Sequence, residues 1–266
     1  MAREVGRRRD LALGAMLAVV YLFLYAPILV LVGLSFNASG LPTAWGGFST
    51  RWYHELLASS DILAALRTSA TIALVVTAVS TTLGTLLALG LERTVRSTVL
   101  DTLVFLPAVV PDIVLAIGLL SSFTLLRITL GFQTVVMAHV VFDMVFVAAI
   151  VRARLGYFDR SIEEAAQDLG ASRLATFLRV TIPVLSPGIV AGALIAFTLS
   201  FDEFIIAFFT AGPRVVTFPI RIYSMIRFGV TPVVNAIATA ILALSMSLVL
   251  LALRLTRREV RRAVEG

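Results

Sequence analysis

Long apolar runs, broken by short segments that carry arginine, dominate the chain. Six stretches are almost uninterruptedly hydrophobic: 11–36, 70–91, 100–126, 132–151, 184–211 and 234–253. Each supplies the roughly 20 residues that a helix needs to cross a hydrocarbon layer about 30 Å thick. Lipid offers the backbone no hydrogen-bond partner, so a spanning segment of this kind is helical. Strands of a membrane barrel would alternate apolar and polar positions, and these runs do not. The pattern predicts an all-α membrane protein with six transmembrane helices in a single transmembrane domain, 1–266. The first run exceeds the roughly 7–15-residue apolar centre of a secretion signal, so a retained span is expected there.

The polar segments give an orientation. Placing the N-terminus inside puts Arg3, Arg7, Arg8, Arg9, Arg93, Arg96, Arg152, Arg154, Arg160, Arg173 and Arg179 on the inner side. Arg254, Arg257, Arg258, Arg261 and Arg262 of the tail join them. Positive residues concentrate on the cytoplasmic side, which predicts N-in, C-in. Composition agrees with a lipid-solvated chain: 59% hydrophobic, 14% charged, mean hydropathy +0.99, against about 25% charged in a soluble domain. The net charge of +6 is used up by this topology signal and calls for no nucleic acid. There is no cysteine, and the two histidines lie far apart. Disulfides and a cysteine- or histidine-rich metal site are thereby disfavoured.

The inner segment 152–183 departs from the apolar pattern. Its core, SIEEAAQDLGASRLATFLRVTIP at 161–183, reads as two short helices around a hinge. Ser161 and Glu164 form a capping-box pattern. Gly170 suits the left-handed position after a helix end. Ser172 can cap a second helix with Leu174, Phe177 and Leu178 on one face, and Pro183 is expected to stop it. Ala165 and Ala166 leave a smooth patch for a closely packed partner. The alternative is a plain surface linker.

Four carboxylates fall inside or near the apolar runs. An acid at the bilayer centre costs about 2.5–3.5 kcal/mol on insertion scales, so it faces a partner or water. On a straight helix from Leu100, Asp112 would sit about 18 Å up, near mid-membrane. Asp143 would enter from the outer side to a similar depth. Asp202 and Glu203 would lie in the outer part of the fifth run. These acids either line a cation path or bond between helices, with Arg214 and Arg221 as candidate partners. Trp45, Trp52 and Tyr53 in the first outer loop are interfacial anchors or a docking and entry surface. His139 is expected to hydrogen-bond in the interior. Tyr223 and Phe228 are expected to pack, with stacking on a substrate as the alternative. Gly84, Gly90, Gly118 and Gly192 are expected to permit close helix contact. No phosphate-binding loop occurs, so no catalytic residue, metal ligand or cofactor is assigned to this chain.

The segment Glu164-Ala165-Ala166, then Gly170, then Val180-Thr181-Ile182-Pro183 resembles the EAA loop of binding-protein-dependent ABC importer permeases. The stretches SFNASG, WGGFSTRWY, PDIVLAIGLL, FTLSFDEF and FPIRIYSMIRFGVTPVVNA are similar to the second permease subunit of spermidine/putrescine importers. This resemblance implies a bacterial inner-membrane, multi-pass subunit that pairs with a second permease chain. It also implies two ATP-binding cassette subunits, which bind ATP and magnesium, and an extracytoplasmic solute-binding protein. Glu164, Ala165, Ala166, Gly170 and Pro183 then belong to the coupling loop, and Trp45, Asp112, Asp202 and Glu203 to the substrate pathway. Alternatives are a permease for another small cationic or organic solute, and an ion-driven secondary transporter working through Asp112 and Asp143.

Overall fold

The computed structural model describes residues 2–41, 44–93, 97–227, 229, 231–243 and 245–247, with the side chains of 2–12 left aside. Arg96, Phe228, the arginines of the tail and the end of the sixth apolar run lie outside the described residues. Among those described, regular structure is helical apart from a single bridge between Asn37 and Phe48. The chain divides into two compact units, 1–60 with 222–266, and 61–221.

In the first unit, α1 (Ala2–Ser35) carries Pro27 inside it. Within its apolar stretch Leu13–Ser35, the most hydrophobic 18-residue window has no buried residue, as suits a helix solvated by lipid. α2 (Arg51–Ala58) follows the outer loop. A later apolar helix, Pro232–Ser247, buries Val233, Val234, Ala236 and Ile237.

The second unit holds the remaining spans. α3 (Ser60–Arg93) begins well before position 70. Asp61 in its first turn and Arg93 in its last both complement the helix dipole. Ile62, Ala65, Ser69, Ile72, Val76, Ser80 and Gly84 are buried at spacings of three and four, so one stripe faces inward. α6 (Phe132–Leu155) matches the fourth predicted run at its start. α9 (Ile182–Asp202, named in sequence with the shorter helices given below) packs chiefly against α6. Close approach comes from small residues, as membrane helix packing favours. A Cβ on Gly84 would lie 2.6 Å from the Met144 carbonyl oxygen, and one on Gly192 3.1 Å from Val147 Cγ1. Gly90 and Gly118 have open space at that position, so the close contacts expected of them are not made within this chain.

Two predicted spans are broken. The third is α4 (Thr98–Phe105), a tight turn at Leu106–Ala108, then α5 (Asp112–Leu125), with a 99° bend between the two parts. Pro107 starts the turn and Pro111 is extended, with ψ 134°. Proline lacks the N–H that a continuing helix needs, and it pushes its predecessor out of helical geometry. The depth inferred for Asp112 from a straight helix therefore fails; Asp112 instead opens α5. The fifth predicted span breaks at Glu203, ψ 116°, before α10 (Ile205–Thr210). α10 packs on α5 and α6 through Ala116, Phe123, Ala138, Phe142 and Ile206. Among the described residues, four helices are long and apolar enough to cross a membrane, or five if the bent pair counts as one.

Candidate functional site

Segment 152–183 folds largely as its residues dictate. α7 (Ser161–Asp168) ends in a Schellman turn: the Gly170 N–H donates to Gln167 O at 2.9 Å, and the Ala171 N–H to Ala166 O at 3.0 Å. Gly170 takes φ +90°, where a side chain would be strained. Ser172 Oγ accepts the Ala175 N–H at 3.2 Å and so caps α8 (Arg173–Thr176). The helix start differs from expectation. Asp159 Oδ1 accepts the Ser161 N–H at 2.9 Å, so the turn forms two residues earlier and Ser161 is already helical, capping nothing. This bond holds the Asp159 carboxyl below the usual aspartate range. The contact is therefore complete above a pH of about 4 and is lost only as pH falls below that.

Pro183 does not stop the second helix. The π-helical segment Phe177–Thr181 joins α8 to α9, and the run Arg173–Asp202 is one apolar helix of 30 residues. The wider π turn leaves room for a proline without an N–H, which here sits in the first turn of α9. The second helix of the surface pair is consequently continuous with an apolar helix long enough to span a membrane, while α7 joins it across the turn at Gly170.

Side chains tie this segment to the bundle. Glu163 pairs with Arg93 of α3 at 3.0 Å and accepts a hydrogen bond from the Thr181 hydroxyl. Arg93 also lies over the Phe158 ring at 5.5 Å. Arg152 donates to both oxygens of Asp101, at 3.0 and 3.1 Å, and to Glu92 at 3.2 Å. Isolated surface ion pairs contribute little, about 0–1 kcal/mol. Here they link α3, α4, α6, α7 and the π turn, so their value is geometric. Sequence reading placed the emphasis on Glu164. Glu163 is the residue that anchors, and its only advance signal was its neighbour's motif. Glu164 and Ala165 are exposed and Ala166 is half-buried. Tyr157 (88% exposed), Leu169 (90%), Leu174, Leu178 and Ile162 add an open apolar surface around them.

A second constellation lies where α5, α6, α9 and α10 meet. The break after α9 frees Glu203, whose Oε1 accepts the Ile206 N–H at 2.9 Å. Glu203 feels the charges of Asp112 and Asp202, and Asp143 feels that of Glu203. The three predicted pathway acids and Asp143 thus form a chain of groups that act on one another electrostatically. Asp202 is exposed, Asp112 and Glu203 half-buried, and Asp143 fully buried. His139 Nδ1 shares a 2.9 Å hydrogen bond with Ser200 Oγ, in line with its expected interior bonding. Arg221 donates to Asp61 at 2.9 Å.

In the other unit, Asn37 organises the loop between α1 and α2. Its Nδ2 donates to Ala44 O at 2.8 Å, and its Oδ1 accepts the N–H groups of Ser39 and Gly46. Trp52 is buried and donates from Nε1 to Asn37 O at 2.6 Å; Tyr53 OH bonds Ser35 Oγ. Both are framework residues. Trp45 is exposed.

A surface helix pair running into a membrane span is the arrangement from which the family follows. Residues 80–262 match the model of the binding-protein-dependent transport system inner membrane component. The chain belongs to that family. Relatives include the putrescine transport system permease protein PotI of Escherichia coli (strain K12). The two are 43% identical over 231 residues, covering 84% of this chain and 82% of that one. The spermidine/putrescine transport system permease protein PotC of Haemophilus influenzae is 37% identical, covering 92% of this chain and 96% of that one. A bacterial ABC transporter involved in the import of the polysaccharide alginate shares the fold. Its TM-score is 0.72 at 17% identity, over 94% of this chain and 96% of that one. The permease is thus an inner-membrane transport component rather than an enzyme.

Proposed function

We propose that this permease is one of two membrane subunits of an ATP-driven importer of polyamines such as putrescine and spermidine. It crosses the membrane six times, N-in and C-in, as one permease domain. A second permease chain, two ATPase subunits that bind ATP and magnesium, and an extracytoplasmic binding protein complete the assembly. The observation that carries the mechanism is the unbroken run from α8 through the π turn into α9. Movement of an ATPase against Glu164, Ala165 and Ala166 then reaches the acid-bearing end of α9 through a stiff element. Gly170 sets the angle of the docking helix, and the Glu163–Arg93 pair makes α3 follow. Coupling of this kind needs one element whose arrangement both sites bias. Outward, Trp45 offers an aromatic face to a cation. Asp112, Asp202 and Glu203 hold protonated amines weakly enough to let them pass.

Two measurements test this reading. Uptake of labelled putrescine by the assembled importer is expected to stop on ATP depletion and to survive collapse of the proton gradient. The reverse pattern would replace it with an ion-driven transporter. Asp112→Asn is expected to raise the KM for putrescine about tenfold, the loss of one charge-assisted contact, with ATPase association unchanged. Unaltered kinetics would remove Asp112 from the path.

A further inference from the structure

We propose that His139 and Asp143 of α6, with Ser200 of α9 and Glu203 at the break after it, form a buried subsite for a primary ammonium group. Its His139 and Asp143 are far more deeply buried than Asp112 and Asp202. The inference rests on the polyamine reading above and adds to it a place where one end of the substrate is held.

The first observation is unmet bonding capacity. His139 and Asp143 are each only 1% exposed. Among the described residues, neither His139 Nε2 nor Asp143 Oδ2 has a hydrogen-bond partner. A buried polar atom without a partner is uncommon in a folded chain and calls for an occupant. The second is placement. α6 and α9 run antiparallel at close range: Gly188 meets Arg154, Gly192 meets Val147, and Ser200 meets His139. His139 and Asp143 are one turn apart on the same face. Helical side chains lean toward their own N-terminus, so the Asp143 carboxylate leans toward the level of His139 and Ser200. Glu203 stands at the break just after α9, three residues beyond Ser200, and acts on Asp143 electrostatically.

The third observation is sign. The charged groups acting on Asp143 and Glu203 are themselves carboxylates. Neighbouring buried carboxylates cannot both ionise in a low dielectric without a proton or a cation between them. The remaining groups select which cation. An ammonium is donor-only, with three N–H bonds. It matches Asp143 Oδ2, Glu203 and His139 Nε2, the last when Nδ1–H donates to Ser200 Oγ, as the 2.9 Å contact permits. A metal ion would instead favour several oxygen ligands at short range.

The test uses the assembled importer in proteoliposomes. Asp143→Asn is expected to raise the KM for putrescine about tenfold and to erase its advantage over butylamine, which carries one ammonium. Asp143→Glu should restore part of the preference. His139→Gln combined with Asp143→Asn should cost less than the two changes separately, as for residues that share one ligand. A second measurement needs no variant. An apolar carbodiimide labels Asp143 in the wild-type assembly, read by mass spectrometry. Putrescine should slow that labelling about fivefold or more, and sodium chloride should not. Equal protection by sodium would make this a metal-cation site and overturn the assignment, as would no protection by putrescine. Wild-type assembly that transports neither putrescine nor spermidine would instead remove the polyamine reading itself. Normal wild-type transport with unchanged Asp143→Asn selectivity would sink the subsite alone.

Discussion

Gly170→Pro is expected to abolish solute uptake while the permease still inserts in the membrane. Gly170 adopts φ +90° and donates its N–H to Gln167 O. Proline is fixed near −65° and has no N–H, so both features are lost, at a cost of about 3 kcal/mol or more. That cost falls on a two-turn helix at the surface, not on the buried bundle, so insertion survives and docking does not. The expected readout is uptake reduced at least tenfold together with loss of the ATPase chain on co-purification. Ala165→Asp tests the same surface without disturbing the turn. Ala165 is exposed and mid-helix, so the carboxylate leaves α7 intact and charges the face that a partner would cover. Normal uptake in both variants would separate this segment from energy coupling.

The next largest effect is expected at Gly84. A Cβ there would lie 2.6 Å from the Met144 carbonyl oxygen and 2.7 Å from Val147 Cβ. Backbone cannot swing aside as a flexible side chain can. Overpacking by a methyl group costs about 1–3 kcal/mol, and in lipid the helices have no hydrophobic drive to force them together. Gly84→Leu is expected to leave no monodisperse permease after detergent extraction. Gly84→Ala should lower the thermal midpoint by several degrees, whereas Gly90→Ala, with open space around it, should leave it unchanged in the chain purified alone. Equal behaviour of the two alanine variants would contradict the α3–α6 contact.

How much of this was legible in the sequence depends on whether the signal was local. Gly170 and Ser172 were readable because cap and turn chemistry lies within a few residues, and the start of α6 because the apolar run begins there. The bend at Pro107 and Pro111 was half legible. Proline announces a loosened helix, but the 99° angle depends on what α5 packs against. Pro183 misled because a π turn, set by the fit of α9 onto α6, absorbs it. The Ser161 cap failed for a nearby reason, since Asp159 two residues upstream reaches the backbone first. Glu163 was hidden because its partners, Arg93 and Thr181, are distant in sequence or on another helix. The acids were visible individually. Their meeting at the break after α9 was not, because it depends on how α5, α6 and α10 pack around that break. Ser200 carried no signal until His139 was seen beside it.

The coupling segment can be tested directly because the chain contains no cysteine. Ala165→Cys therefore introduces a single reactive thiol on the exposed face of α7. Carrying a photo-activated cross-linker in the assembled importer, this position is predicted to join the ATPase chain in high yield, with a yield that changes when ATP is added. A product with the extracytoplasmic binding protein, or no product with the ATPase although the thiol was labelled, would contradict the account.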